Sequence, residues 1–276
     1  MNINNGLIWL CFVLMVSVTQ LAGQRGAYTF NGSRSNGLGG VNSTINSVDA
    51  LFNNFSNISF DKNSFGASIG SQQRYTLSEL SNAQLGVFKK FDENNAFGLS
   101  LNTYGFSDYR EHKLSLNYAR RIIDKLSISV NFDYNQLVIS ENGQKSFFTY
   151  GIGLSGKLTD NIGYGAYIFN FENSSIANQS ESNAFIQLGF YNKVTNKLIV
   201  HTEVEKFVEE TINVKLGLEY AALESIDLRL GFSSFPGALT FGATLNLIDN
   251  LSIDVDAQYN TVLGVSPSIS LRYLIE

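Results

Sequence analysis

Leu251-Ser252-Ile253-Asp254-Val255-Asp256-Ala257-Gln258-Tyr259 sorts its side chains by parity. Leu251, Ile253, Val255, Ala257 and Tyr259 share one face, and Ser252, Asp254, Asp256 and Gln258 share the other. Successive side chains of a β-strand point to opposite faces, so this is a strand with one apolar and one polar surface. The same division recurs in Leu126, Ile128, Val130, Phe132 and Tyr134 against Ser127, Ser129, Asn131, Asp133 and Asn135. It returns in Ile212, Val214, Leu216 and Leu218 against Asn213, Lys215, Gly217 and Glu219.

The Leu251 strand starts just after Asp249-Asn250, a short turn with five close relatives. They are Asp92-Glu93-Asn94, Asp124-Lys125, Thr159-Asp160-Asn161, Thr195-Asn196-Lys197 and Glu224-Ser225. Longer, more polar connections alternate with them, near residues 74–79, 107–110, 140–144, 172–181, 209, 235 and 261. The pattern predicts fourteen strands: 63–73, 80–90, 95–106, 110–122, 125–139, 145–158, 161–171, 182–192, 197–208, 211–221, 225–234, 237–247, 250–260 and 265–275. Runs of this length suit a tilted membrane crossing better than the five or six residues of an ordinary strand. An open sheet edge has no hydrogen-bond partners in hydrocarbon, so the sheet must close. The expectation is an all-β transmembrane antiparallel barrel, apolar outside and polar within, in the outer membrane of a Gram-negative bacterium. Short turns and both termini would face the periplasm, and the longer loops the exterior. Outer-membrane lipid is then the first partner. Pro267 falls at a strand start, where a missing N–H is tolerated. Tyr104, Tyr109, Tyr118, Tyr150, Tyr220, Tyr259 and Tyr273 fall near strand ends, as an aromatic girdle requires.

The composition agrees. Charged residues make up 16% of the 276, below the share usual in soluble domains, and the net charge of -5 argues against a nucleic-acid partner. Residues 1–23 read as a signal peptide, with an apolar run from Leu7 to Val18 before Thr19-Gln20-Leu21-Ala22-Gly23. The single cysteine, Cys11, lies in that run, so the mature chain would hold no disulfide or thiolate site.

Residues 24–62 differ from the rest of the chain and are expected to form an N-terminal periplasmic or plug segment, with 63–276 as the barrel. Ser47–Phe55 carries Val48, Leu51, Phe52 and Phe55 at helical spacing. Gly151, Gly153, Ser155, Gly163, Gly165, Gly217, Gly231 and Gly242 lie on or near the polar parity. Small lumenal side chains leave volume, and a Gly-rich N-terminal segment able to approach the wall closely is the natural filler.

Little points to catalysis. His112 starts a strand, and His201 shares the polar parity with Glu203 and Glu205. Neither is tied by spacing to a Ser or Asp as an acid–base pair requires. Glu203/Glu205 and Asp254/Asp256 each place two carboxylates on one face, an arrangement that suits a hard cation. Balance by Lys215, Arg229 and Arg272 is the simpler reading. No enzymatic activity, cofactor or metal site is expected.

The N-terminal residues resemble a known family. Asn31-Gly32-Ser33-Arg34-Ser35-Asn36-Gly37-Leu38-Gly39-Gly40-Val41, then Val48-Asp49-Ala50-Leu51-Phe52-Asn53-Asn54, resembles the start of PorV-like and FadL-like outer-membrane barrels. Where the family pattern has Asn-Pro-Ala-Gly, this chain has Asn53-Asn54-Phe55-Ser56-Asn57. The resemblance implies fourteen strands with an N-terminal hatch, and marks Arg34, Gly37, Gly39, Gly40, Asp49, Asn53 and Asn54 as the plug motif. It also implies one of two roles. A PorV-like member is an accessory or scaffold subunit of a type IX secretion or envelope-assembly machine, partnered by a larger outer-membrane complex. A FadL-like member is a channel for hydrophobic small molecules, with an apolar pocket beneath the hatch and a lateral gap where Gly or Pro interrupts strand pairing. The first reading is preferred, on the PorV-like N-terminus, the short loops and the absence of a catalytic constellation.

Overall fold

The computed structural model describes residues 30–170, 184–208 and 210–276. The signal-peptide reading and the loop at 172–181 lie outside them. The described residues form fourteen strands: β1 Phe65–Gln73, β2 Ser81–Lys90, β3 Asn95–Gly105, β4 Tyr109–Ile123, β5 Leu126–Ile139, β6 Gly143–Lys157 and β7 Ile162–Phe169, followed by β8 Phe185–Lys193, β9 Leu198–Phe207, β10 Asn213–Leu223, β11 Ile226–Ser233, β12 Ala238–Ile248, β13 Leu251–Asn260 and β14 Gly264–Ile275. Each pairs antiparallel with its sequence neighbours, and β14 returns to β1 to close the barrel.

Parity governs the wall. Leu216, Leu218, Val130, Phe132, Ile269 and Leu271 are exposed, whereas Lys215, Glu219, Asn131, Asp133, Ser270 and Arg272 are buried. In a soluble protein this would be inside out. With hydrocarbon against the outer face and every internal backbone group paired along a closed ladder, it is the stable arrangement. No helix among the described residues is long and apolar enough to cross a membrane; the strands do the crossing. The molecule is an outer-membrane barrel.

The six short turns lie together on one rim, the rim at which Phe65 pairs with Ile275. Their chemistry is local. Asp92 accepts the backbone N–H of Asn94 and Asn95 and the Asn95 side-chain amide, which holds its carboxyl below the usual carboxylate range. Thr159 and Thr195 close their turns likewise, each hydroxyl accepting two backbone N–H groups two and three residues on.

Two expectations about the wall need correction. Pro267 is the fourth residue of β14 rather than its start, opposite Ala257. The β1 ladder has ended by then, its last pair being Gln72 with Ser268, so the missing N–H falls beyond the seam. Tyr104 is buried inside the barrel instead of joining a lipid-facing girdle, its ring edge-on to Tyr109 at 6.4 Å. Tyr150, Tyr220, Tyr259 and Tyr273 do face outward.

Residues 30–62 lie within the barrel. A five-residue helix, α1 (Ser33–Gly37), rests against β12 and β13. Val48–Phe52 and Phe55–Phe60 then wind as 310 turns, not the single helix expected over Ser47–Phe55. The break falls at Asn53-Asn54, where the Asn54 amide is drawn off to the carbonyls of Ser43 and Leu154. The apolar positions were legible even so. Val48, Leu51, Phe52, Phe55 and Ile58 form one cluster with Phe88, Ala96 and Ala119 of the wall.

Candidate functional site

The lumen offers three candidate surfaces: a buried ionic network, a glycine-smoothed wall and an aromatic patch. The network joins α1 to the adjoining strands β10, β11, β13 and β14. Arg34 donates to both Glu219 oxygens, at 3.1 and 2.8 Å, and to the Asn46 carbonyl at 2.6 Å. Arg229 bonds Glu219 at 2.9 Å and Asp254 at 3.0 Å; Arg272 clasps Asp254 with two nitrogens and reaches Ser47 Oγ at 3.2 Å. Each guanidinium has a carboxylate partner, so charges buried from water are offset. Asp49 is the exception: it is buried among these arginines with no hydrogen bond to either oxygen. Burial pushes its carboxyl up to about 6, against the pull of Arg272.

A second cluster holds the next stretch of the segment. Glu203 Oε2 accepts the backbone N–H groups of Asn42 and Ser43, at 2.9 and 2.7 Å, and the Ser43 hydroxyl at 2.6 Å. Lys215 Nζ bridges Glu203 and Glu205, both at 2.9 Å, and donates to the Gly40 carbonyl at 2.8 Å. The balance expected of Lys215, Arg229 and Arg272 is met by direct ion pairs at Glu203, Glu205 and Asp254, whereas Asp256 accepts from the Ser268 hydroxyl rather than from a cation. His201 meets Thr44 through Nδ1 at 3.1 Å, and its Nε2 has no partner. Neither Glu203 nor Glu205 bonds it, so no acid–base pair forms.

The glycines make the close approach feasible. At Gly153, Gly165 and Gly231 a methyl group would collide with Asn54, the Ser43 carbonyl and the Gly39 nitrogen, respectively. Gly217 faces Leu38 and Gly242 faces the Gly37 Cα. Gly39 and Gly40 adopt φ of +75° and +77°, a region that strongly favours glycine, and so turn the chain along the wall. Of the motif residues marked by resemblance, Arg34, Gly37, Gly39, Gly40 and Asn54 contact the wall directly. Asp49 and Asn53 are buried, with Asp49 Oδ1 against Gly32 and Asn53 Oδ1 unpaired.

The aromatic patch lies outside the sequence expectations. Tyr167, Phe169, Phe185 and Phe207 occupy lumenal parity positions at the ends of β7, β8 and β9 away from the short-turn rim. Phe169 stacks on Phe185 at 5.3 Å, and Phe185 meets Phe207 at 4.8 Å. The available signal was an aromatic residue where strand alternation calls for a polar one. The lateral gap expected of a channel has no counterpart in the registers of the described strands. The β2–β3 and β3–β4 registers run unbroken, and irregular steps occur only beside turns, as at Arg121/Ile123.

No family model matches the chain, and no curated protein does. Solved structures match along most of its length. The Ralstonia pickettii toluene transporter TbuX aligns over 91% of this chain and 99% of its own, with a TM-score of 0.69 at 12% identity. The CymD monoaromatic hydrocarbon channel aligns over 89% and 97%, at 0.69 and 13% identity. A Pseudomonas aeruginosa FadL homologue aligns over 92% and 99%, at 0.65 and 11% identity. At such identities the likeness is one of architecture, and it is specific: this chain has the FadL-like outer-membrane barrel fold.

Proposed function

We propose that the protein is a FadL-type conduit for small hydrophobic molecules, with the segment at residues 30–62 acting as its plug. The observation that carries the reading is the patch of Tyr167, Phe169, Phe185 and Phe207, four aromatic side chains gathered on the lumenal parity of β7, β8 and β9. Ligand sites for apolar molecules combine such surfaces with a few oriented polar groups, here the Tyr167 hydroxyl donating to Asn131 at 2.8 Å. Structural neighbours described as toluene and monoaromatic hydrocarbon transporters support it further. The test is uptake of radiolabelled toluene and of a long-chain fatty acid by cells with and without the protein. A Phe185→Ser/Phe207→Ser variant should cut uptake of the preferred substrate about tenfold or more, since each ring contact is worth roughly 1 kcal/mol. Equal uptake in the deletion strain would end the proposal. A second reading, an accessory subunit of a secretion or envelope-assembly machine, draws on the short outer connections Phe106–Asp108 and Ser140–Asn142. It requires large partners to co-purify from detergent; a lone monomer at native expression would count against it.

A further inference from the structure

The outer wall of β2–β6 holds a groove of about 980 Å³, lined by Val87, Phe97, Leu99, Leu116, Val130 and Phe132 among others. A barrel exterior is ordinarily convex, and this hollow is at the upper end of small-molecule pockets, roughly 300–1,000 Å³. Most of its lining side chains, Val87, Leu99, Leu116, Val130 and Phe132 among them, are exposed on the outward parity, although Phe88, Asn117 and Asn131 of the lining belong to the buried one. From this we propose that the groove is a binding site for one glycerophospholipid of the periplasmic leaflet, its acyl chains in the groove and its phosphate between Lys89 and Arg120.

The charges identify the occupant. Lys89 and Arg120 both point outward, at the short-turn ends of β2 and β4, on either side of β3. Lys89 pairs in register with Phe97, and Arg120 with Asn95 two residues nearer the turn. Two strand spacings separate them, roughly 10 Å, within reach of one headgroup from two long side chains. The Lys89 ammonium stands 5.8 Å over the Phe91 ring, which meets Phe97 edge-on at 5.4 Å; Phe97 in turn leans on Tyr118 at 4.8 Å. The aromatic floor thus leads directly from the cations into the aliphatic part of the groove. A chain of rings below Lys89, with Arg120 just outside the groove and close to Asp92 of the β2–β3 turn, suits an amphiphile whose phosphate-bearing head lies at the periplasmic surface. An uncharged hydrocarbon has no use for the cations, and a protein helix would need polar partners along its length.

The experiment is native mass spectrometry of the full mature protein, purified in mild detergent and exposed to nanodiscs containing phosphatidylglycerol and phosphatidylcholine. One retained phospholipid per barrel is expected, with phosphatidylglycerol preferred. Lys89→Gln/Arg120→Gln should lower its retention about tenfold or more, as each interfacial cation is worth about a factor of five. Lys206→Gln, on the outward parity near the other rim, should leave retention unchanged. A second variant, Leu99→Trp, fills the groove without altering charge and should also expel the lipid. Slower migration after boiling identifies variants that fold. Retention unaffected by either folded variant would overturn the assignment. So would a retained lipopolysaccharide, a stable dimer, or a co-purifying protein released by Leu99→Trp.

Discussion

Among individual residues, Asp49 stands apart because its neighbours are charged and yet none bonds it. Its raised folded-state value has a defined consequence. A carboxyl near 6 when folded and near 3.8 when free binds more protons in the folded state across that interval. Stability therefore falls as pH rises from about 4 to 6, and the penalty is complete above 6. Asp49→Asn should make this slope shallower, which urea unfolding of the vesicle-embedded protein at pH 4, 5, 6 and 7 would measure. An unchanged slope would show that Asp49 is ionised throughout. Charge balance at other positions could be read from the sequence, because Lys215 and Glu203/Glu205, or Arg229 and Asp254, lie on lumenal parities a few strands apart. The Arg34–Glu219 bond could not: it joins a loop-like segment to a strand 185 positions away, and no periodicity records that.

For the secondary-structure elements, alternation located every strand to within a few residues, since lipid on one side and polar lumen on the other punish any slip of register. The same logic failed inside the lumen. α1 is built from Ser33, Arg34, Ser35, Asn36 and Gly37, of which only Arg34 is a good helix former, and the wall holds it in place through Ser268, Ser270 and Glu219. Tertiary contact decides its form, so local propensity could not reveal it. The element that receives it is just as demanding. Gly231→Val would drive a side chain into Gly39 and Leu38 while leaving the strand ladder intact. The expected result is a barrel that still migrates anomalously before boiling, destabilised by about 1–3 kcal/mol. Its segment 30–62 should become susceptible to limited proteolysis. Protection equal to the parent's would mean that β11 does not seat the segment.

For the molecule as a whole, closure matters more than any single ladder. The seam pairs Phe65 with Ile275 and Gln72 with Ser268, and it satisfies two edges that hydrocarbon cannot. A chain ending at Asn260 would leave β1 and β13 bare. It should fail to enter vesicles as a compact species, with loss of anomalous gel migration as the readout; normal insertion would show that thirteen strands suffice.

Ser33 bonds Ser268 and Ser270 of β14, the last barrel strand to leave the ribosome. The earliest-made piece of the folded structure thus waits on the latest. Until that strand is paired, Ser33 lacks both of these partners. Biogenesis must shepherd the N-terminal tract as a guest that takes its seat only when the house is finished.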